Sequence, residues 1–323
     1  MSQHRDKQLT QILTLLAQGQ FLSGQHMAEK LSVSRAYIWK LIQQLQELGL
    51  SVESVTRKGY RLSQSISLLD EAEISKTSGF DCQLLLTTDS TNTRLKNDNF
   101  GHEKLIIAEH QSAGRGRRGR QWLSPLASNL YWSLGWKTAL PIQQLGGLSL
   151  VIGLAICHAL SSFGLEGIEL KWPNDIRYQG KKIGGILIEF SGDATGDLHI
   201  IIGVGLNVTM TREAGQQIDQ EWISLASIAE QQGIELPSRQ QLLCEILNSK
   251  KQSLSQFEAK GFQSFIQQWE TVDEAFSKKV TIMQTKQNLH GIGAGVDETG
   301  AFLLQTGKGI IPIYAGEVSL RFR

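Results

Sequence analysis

The sequence predicts an α+β protein in three parts: a small helical head with a hairpin, a central mixed β-sheet with helices, and a short all-β tail. Three observations predict it. Apolar residues recur at helical steps through Leu48, strand and helix signals then mix, and after Trp269 only strand signals remain, separated by Gly or polar turns. The 323 residues exceed what one core organises at roughly 150 residues per domain. The net charge of +1 hides an asymmetry: residues 1–64 carry eight basic against four acidic side chains, a net +4, which leaves −3 on the remainder. A basic head on a mildly acidic body points to a polyanion partner for the head.

Composition narrows the class further. With 32 Gly, 5 Pro and 3 Cys, collagen, low-complexity disorder and a disulfide scaffold are excluded. Cys82, Cys157 and Cys244 lie far apart with no C-x-x-C pair, which fits the reducing cytoplasm better than a secreted framework or a zinc ribbon. The apolar stretch Leu145 to Leu165 is broken by serines, a histidine and glycines, so it reads as a buried core helix and no membrane partner is expected.

The head, residues 1–64, opens with a helix whose apolar face is Leu9, Ile12, Leu13, Leu15 and Leu16, ending near Gly19. Ser23 can cap a short helix through Leu31, and Ser34 a longer one in which Ile38, Leu41, Ile42, Leu45 and Leu48 recur until Gly49. A helix, a turn and a second capped helix form the helix-turn-helix layout. A strand, Ser51 to Val55, and the basic tip Arg57-Lys58-Gly59-Tyr60-Arg61 complete a winged helix-turn-helix. An ordinary three-helix module would show the same periodicity; the placement of charge favours DNA. Ser34, Arg35, Tyr37 and Lys40 mark the recognition helix, and Arg57, Lys58 and Arg61 can reach phosphates. Trp39 fits either inward packing or a DNA contact.

In the central part, residues 65–270, the expected strands are Cys82 to Leu86, Leu105 to Glu109, Asn129 to Trp136, Ile168 to Trp172, Ile183 to Phe190 and His199 to Asn207. Helices are expected near Thr91, at Gln143 to Ser162 and at Arg239 to Phe257. The tail, residues 271–323, offers Lys279 to Met283, Leu289 to Val296, Ala301 to Gln305 and Ile310 to Val318, a small β-barrel pattern.

The strongest chemical signal is Gly114-Arg115-Gly116-Arg117-Arg118-Gly119-Arg120. Its glycines match the dinucleotide fingerprint, but no helical period follows, so no helix N-terminus is available for a pyrophosphate. Glycines admit close backbone approach and arginines supply cationic forks, a combination suited to a triphosphate or an acyl-phosphate anhydride. A nucleic-acid-binding or merely solvated basic loop would look similar in isolation. Four further segments accompany it: Asp89-Ser90-Thr91-Asn92, Lys171-Trp172-Pro173-Asn174-Asp175, Lys181-Lys182-Ile183-Gly184-Gly185-Ile186-Leu187 and Gly203-Val204-Gly205-Leu206-Asn207. Cys157 and His158 sit in the apolar helix and read as packing and helix-face residues, not as a nucleophilic pair.

These segments, in this order, resemble the biotin protein ligases, and with the N-terminal helix-turn-helix the chain is similar to the bifunctional biotin ligase and biotin operon repressor family over its whole length. The resemblance implies a class II synthetase-like central domain, an SH3-like tail, and ATP, biotin and Mg2+ as substrates and cofactor. The implied reaction forms biotinyl-5′-AMP and transfers biotin to a lysine of the biotin carboxyl carrier protein of acetyl-CoA carboxylase. Ser90, Thr91, Asn92, Gln111, Arg115, Gly116, Arg117 and Lys182 fall on the family's biotin-binding motifs, with Lys182 and Arg117 catalytic. Arg117, Arg118, Trp122, Lys171, Asn174 and Asn207 are implied for the nucleotide and Asp175 for the metal. Trp122 and Trp222 are candidates for an adenine shelf and equally for core packing. The family also implies a homodimer promoted by biotinyl-5′-AMP that represses at the operator DNA of biotin biosynthesis genes. The loop Arg212 to Gln220 occupies the position of a family segment that closes over the adenylate. A regulator that senses biotin without catalysis is the alternative, against which Lys182 and the arginine loop both argue.

Overall fold

The structure, a computed structural model, describes residues 2–98, 103–191, 199–284, 288–315 and 319–322. In the head, α1 (Ser2–Leu16), α2 (Gly24–Leu31) and α3 (Arg35–Glu47) are followed by β1 (Val52–Val55) and β2 (Gly59–Leu62). The Ser23 and Ser34 hydroxyls accept from the amides of His26 and Tyr37, so both predicted caps start their helices. Leu9, Ile12, Leu13 and Leu16 of α1 pack on Ile38, Leu41, Ile42 and Leu45 of α3 in one buried cluster. The hairpin closes on the helices because Tyr60 and Leu22 exchange both backbone hydrogen bonds, each of 2.9 Å. Gly59 is required there: its φ is +102°, and a Cβ would strike the Leu22 carbonyl.

The central part comprises α4 (Glu71–Ser78), β3 (Asp81–Thr88), α5 (Thr91–Asn97), β4 (Lys104–Gln111), β5 (Leu130–Lys137), α6 (Leu148–Ser161), β6 (Ile168–Lys171), β7 (Asp175–Tyr178), β8 (Lys181–Ser191) and β9 (His199–Leu206). It ends with α7 (Leu225–Gln232), α8 (Arg239–Lys260) and α9 (Ile266–Glu270). The described strands form a seven-stranded sheet ordered β3-β4-β5-β9-β8-β7-β6. Only β3 and β4 run parallel, joined through α5, which makes the sheet mixed. Ile142–Ser161 is long and apolar enough to cross a membrane, yet it is mostly buried, with α6 against α8. Cys157 is buried on this helix, its thiol pushed up to about 12 by burial, while His158 faces outward.

The tail is a five-stranded antiparallel, SH3-like sheet of β10 (Lys279–Met283), β11 (Leu289–Val296), β12 (Phe302–Thr306), β13 (Gly309–Ile313) and β14 (Ser319–Phe322), ordered β13-β12-β11-β10-β14. Its Val280, Phe302, Leu304 and Leu320 share one apolar cluster with Trp172 and Phe262 of the central part. The head's own cluster reaches the body through Leu86, Leu126 and Ala127. A buried ion pair fastens the segment that follows the head onto the central sheet. Arg239 lies 2.8 Å from Glu109, Glu109 accepts from the Leu69 amide at 2.8 Å, and Arg239 donates to the carbonyls of Asn129 and Ser67.

Several elements differ from the sequence expectation. The single strand expected at Ile168 to Trp172 stops at Lys171, and a second strand, β7, follows after a Trp172-Pro173-Asn174 turn; proline has no amide to continue a ladder. The helix expected from Gln143 begins at Leu148, after a 3₁₀ turn over Ile142–Leu145 and the Gly146-Gly147 break. α4 and α7 were not expected, being eight residues each with few buried positions. The strand expected over Ile310 to Val318 ends at Ile313, and residues 316–318 lie outside the described residues.

Candidate active site

The C-terminal end of β3, the arginine loop, the β6–β7 turn and strands β8 and β9 surround one cleft. Ser90, Thr91, Asn92, Gln111, Arg115, Gly116, Arg117, Arg118, Trp122, Lys171, Asn174, Asp175 and Lys182 all line it. At one end lies a polar cluster. The Thr91 amide donates to Gln111 Oε1 at 2.9 Å, and Gln111 Nε2 donates to Ser124 Oγ at 2.9 Å. Buried Ser133 Oγ sits 2.7 Å from Thr91 Oγ1 and 2.6 Å from Asn92 Oδ1. Asn92 Nδ2 donates to Glu189 at 2.7 Å, and the same carboxylate holds Arg115 at 2.6 Å. These groups sit at the start of α5, where Ser90 is extended as the N-cap and Thr91 and Asn92 are buried.

Glycines give this end its depth. A Cβ on Gly203 would overlap the Asn92 amide, and one on Gly205 would overlap the Trp122 indole. The indole therefore lies close against β9, with Lys182 Nζ 5.5 Å from its ring centre.

The arginine loop is an ordered turn. Gly116 donates to the Arg120 carbonyl at 2.7 Å and Trp122 to the Gly114 carbonyl at 2.8 Å, while Arg118 is left-handed with φ +58°. Arg117 donates to Asn174 Oδ1 at 2.8 Å, and Asn174 Nδ2 donates to the Ile186 carbonyl at 3.0 Å. Burial pulls the Arg117 guanidinium below its ordinary range, Asp175 opposing; an arginine stays charged regardless. Lys182 forms a 2.7 Å ion pair with Asp175. Burial likewise pulls Lys171 down to about 8. Among the described residues the cleft lining thus gathers Arg115, Arg117, Arg118, Arg120, Lys171 and Lys182 against the carboxylate of Asp175, with Glu189 pairing Arg115 from behind the lining. Such a field suits a polyanion.

Other predicted residues fall elsewhere. Asn207 lines an adjoining pocket that shares Arg120, Trp122 and Lys182 with the cleft and includes Gln217, Gln220 and Trp222. Both tryptophans suggested as an adenine shelf therefore border pocket space, Trp222 lying against Gly215 of the 212–220 loop. Asp175 gives one carboxylate oxygen to Lys182, and no cluster of three metal-ligating side chains occurs among the described residues. One carboxylate in a cationic cleft still fits Mg2+, which takes most of its oxygens from water and phosphates. On the head, Ser34 is occupied as a cap, and Tyr37 is turned inward, its hydroxyl donating to Gln8 at 2.8 Å. Arg35, Lys40, Arg57 and Lys58 are exposed.

Sequence reasoning missed Glu189, Ser133 and Leu320. A serine inside the apolar run Tyr131 to Trp136 was the available signal for Ser133. Leu320 reaches the cleft from the tail, which no local pattern indicates.

Residues 84–207 match the Biotin/lipoate A/B protein ligase family, residues 8–61 an HTH domain, and residues 278–321 the biotin protein ligase C terminal domain. The chain is 38% identical over 314 residues to the bifunctional ligase/repressor BirA of Escherichia coli, covering 96% of each. It is 30% identical over 312 residues to that of Bacillus subtilis, covering 94% of this chain and 95% of the relative. Among solved structures it resembles the Aquifex aeolicus biotin protein ligase in complex with biotin and ATP, with a TM-score of 0.65 and 32% identity over 75% of this chain and 99% of that one. The chain belongs to the bifunctional biotin ligase/repressor family.

Proposed function

We propose that this protein activates biotin with ATP and transfers it to a lysine of the biotin carboxyl carrier protein, and that it represses biotin biosynthesis genes when loaded with biotinyl-5′-AMP. The observation that carries the ligase reading is the convergence, in one cleft, of the polar cluster around Asn92 with Lys182 and the arginine loop.

In the first step an oxygen of the biotin carboxylate attacks the α-phosphorus, and the bond to pyrophosphate breaks. In the second the acceptor amine, having lost its proton, attacks the acyl carbon and AMP leaves. Negative charge grows on α-phosphate oxygens and then on the carbonyl oxygen, both within the reach of a fixed cation such as Lys182. Arg115, Arg117 and Arg118 offset the repulsion between carboxylate and triphosphate. Ser90, Thr91, Asn92 and Gln111 suit the polar ureido ring and Val204 the apolar remainder, while Trp122, which borders both pockets, stays with the nucleotide. Lys171, Asn174 and Asn207 are assigned to the nucleotide. Asp175 would help to hold a Mg2+ ion entering with ATP, and that ion would supply neutralisation of phosphate charge.

The chain divides in this reading into a DNA-binding head (1–64), a catalytic part (65–270) and a tail (271–323), and it works in the cytoplasm. A single head with modest charge binds DNA weakly, so a homodimer promoted by biotinyl-5′-AMP is proposed to occupy a palindromic operator. Incubation with biotin, MgATP and a carrier domain tests the reading. Pyrophosphate release that requires biotin and label on the carrier lysine are expected; ligand-dependent DNA binding without either product would leave only a biotin-sensing regulator. Sedimentation with and without biotin and ATP tests the dimer.

A further inference from the structure

Trp39 is 54% exposed on α3. Isolated exposed apolar residues are common and carry no meaning alone. Its surroundings distinguish this one. α3 turns Ile38, Leu41, Ile42 and Leu45 into the head core, and helical geometry sets Arg35, Trp39 and Gln43 in a row on the exposed side at four-residue steps. Arg35, Lys40 and Gln43 are all exposed, and the first acidic residue of the helix is Glu47 at its end. The exposed face of α3 is therefore a cationic strip with an indole at its middle. Its chemistry complements a DNA major groove, where phosphates line the walls and thymine methyl groups are the apolar features of the floor.

We propose that Trp39 contacts a thymine methyl group in the major groove and sets the base preference at one position of each operator half-site. The proposal rests on reading the head as an operator-binding module and deepens that reading. Arg35 and Lys40 supply sequence-independent attraction, and the indole supplies discrimination, because burying an apolar ring edge against a methyl group is favourable only where that methyl is present. Removing Trp39 takes away no charge, so binding to unselected duplex is retained.

The test uses the full-length protein with biotin and MgATP. Wild type, W39A and R35A each select duplexes from a random-sequence pool, and affinities are measured for the wild-type selection with each thymine replaced in turn by deoxyuridine. Biotinylation of a carrier domain by W39A serves as the check on folding. Wild type is expected to select a palindromic sequence, and W39A to lose preference at one base pair per half-site. One deoxyuridine replacement should weaken wild type by about fourfold, the factor for one methyl-sized group, and leave W39A unaffected. R35A should weaken selected and unselected duplexes alike. The same selected sequence for wild type and W39A, or equal sensitivity to deoxyuridine, overturns the proposal. W39A that keeps its base preference but no longer dimerises shows that the indole meets a second copy, and also overturns it. If wild type enriches no sequence at all, the operator-binding reading itself falls.

Discussion

Lys182 Nζ stands 2.7 Å from Asp175 Oδ1, and a break in strand register produces that meeting. β7 and β8 pair Asp175 with Gly185 and Ile176 with Gly184, and then Arg177 with Lys182, so Ile183 is the extra residue of a β-bulge. The bulge draws Lys182 one position toward Asp175 and the cleft. Lys182→Ala is expected to slow adenylate formation by about 10²–10³-fold, the loss typical of one fixed transition-state group. Pyrophosphate release measures it, and a smaller KM-only effect would place Lys182 outside the reaction.

If Lys171 meets the nucleotide as proposed, the activity is expected to depend on pH. Burial is the main cause of its low pKa of about 8, with Arg177 adding to it and Asp175 and Glu274 opposing. Below that pH the ammonium is charged and can meet a phosphate; above it the charge is lost. KM for ATP should therefore rise as pH passes through about 8, and Lys171→Arg should flatten the rise. Stability runs the other way: the folded pKa lies below an unfolded value of about 10.4, so this group's contribution to stability increases with pH between the two. A wild-type KM that stays constant across this window would remove Lys171 from phosphate contact.

The Glu109–Arg239 pair is nearly inaccessible, with both side chains 3% exposed. Arg239→Met leaves a buried carboxylate without its cation and strips the Asn129 and Ser67 carbonyls of a donor. A loss of about 3–5 kcal/mol in unfolding free energy is expected, read by denaturant titration at pH 7.

Lys250 makes the opposite prediction. It is fully buried on α8 with no hydrogen-bond partner for Nζ among the described residues, which lies 3.9 Å from the Phe80 ring centre. Burial pulls its pKa well below the ordinary lysine range, with Glu103 opposing. Lys250→Met fills the same space without a group to desolvate and should raise stability by about 1–3 kcal/mol. A fall in Tm would mean that the ammonium is better satisfied than its surroundings indicate.

Gly203→Ala tests the depth of the polar cluster. The new methyl must displace Asn92, which breaks the contacts with Ser133 and Glu189. KM for biotin should rise by about tenfold, consistent with roughly 1–3 kcal/mol of overpacking, with far-UV circular dichroism unchanged. An unaltered KM would separate Asn92 from biotin.

The sequence by itself determined the helix-turn-helix layout, because serine caps and apolar steps are local signals: Ser23 and Ser34 mark where the two helices start, and the Ile38–Leu45 series marks the buried face of the second. It also determined the motif set of the cleft, since the glycines, arginines and Lys182 are chemically legible where they stand. Tertiary structure alone decided how they act. That Glu189 restrains both Asn92 and Arg115, that a bulge aims Lys182 at Asp175, and that Leu320 of the tail enters the cleft are all contacts between residues distant in sequence or out of strand register. Periodicity reports which face of an element is apolar; it carries no information on which partner that face will meet. Tyr37 and Trp39 show the same division on one helix. Both are aromatic and two residues apart, yet Gln8 of α1 draws the first inward, and the second is left to the solvent by the direction in which α3 packs.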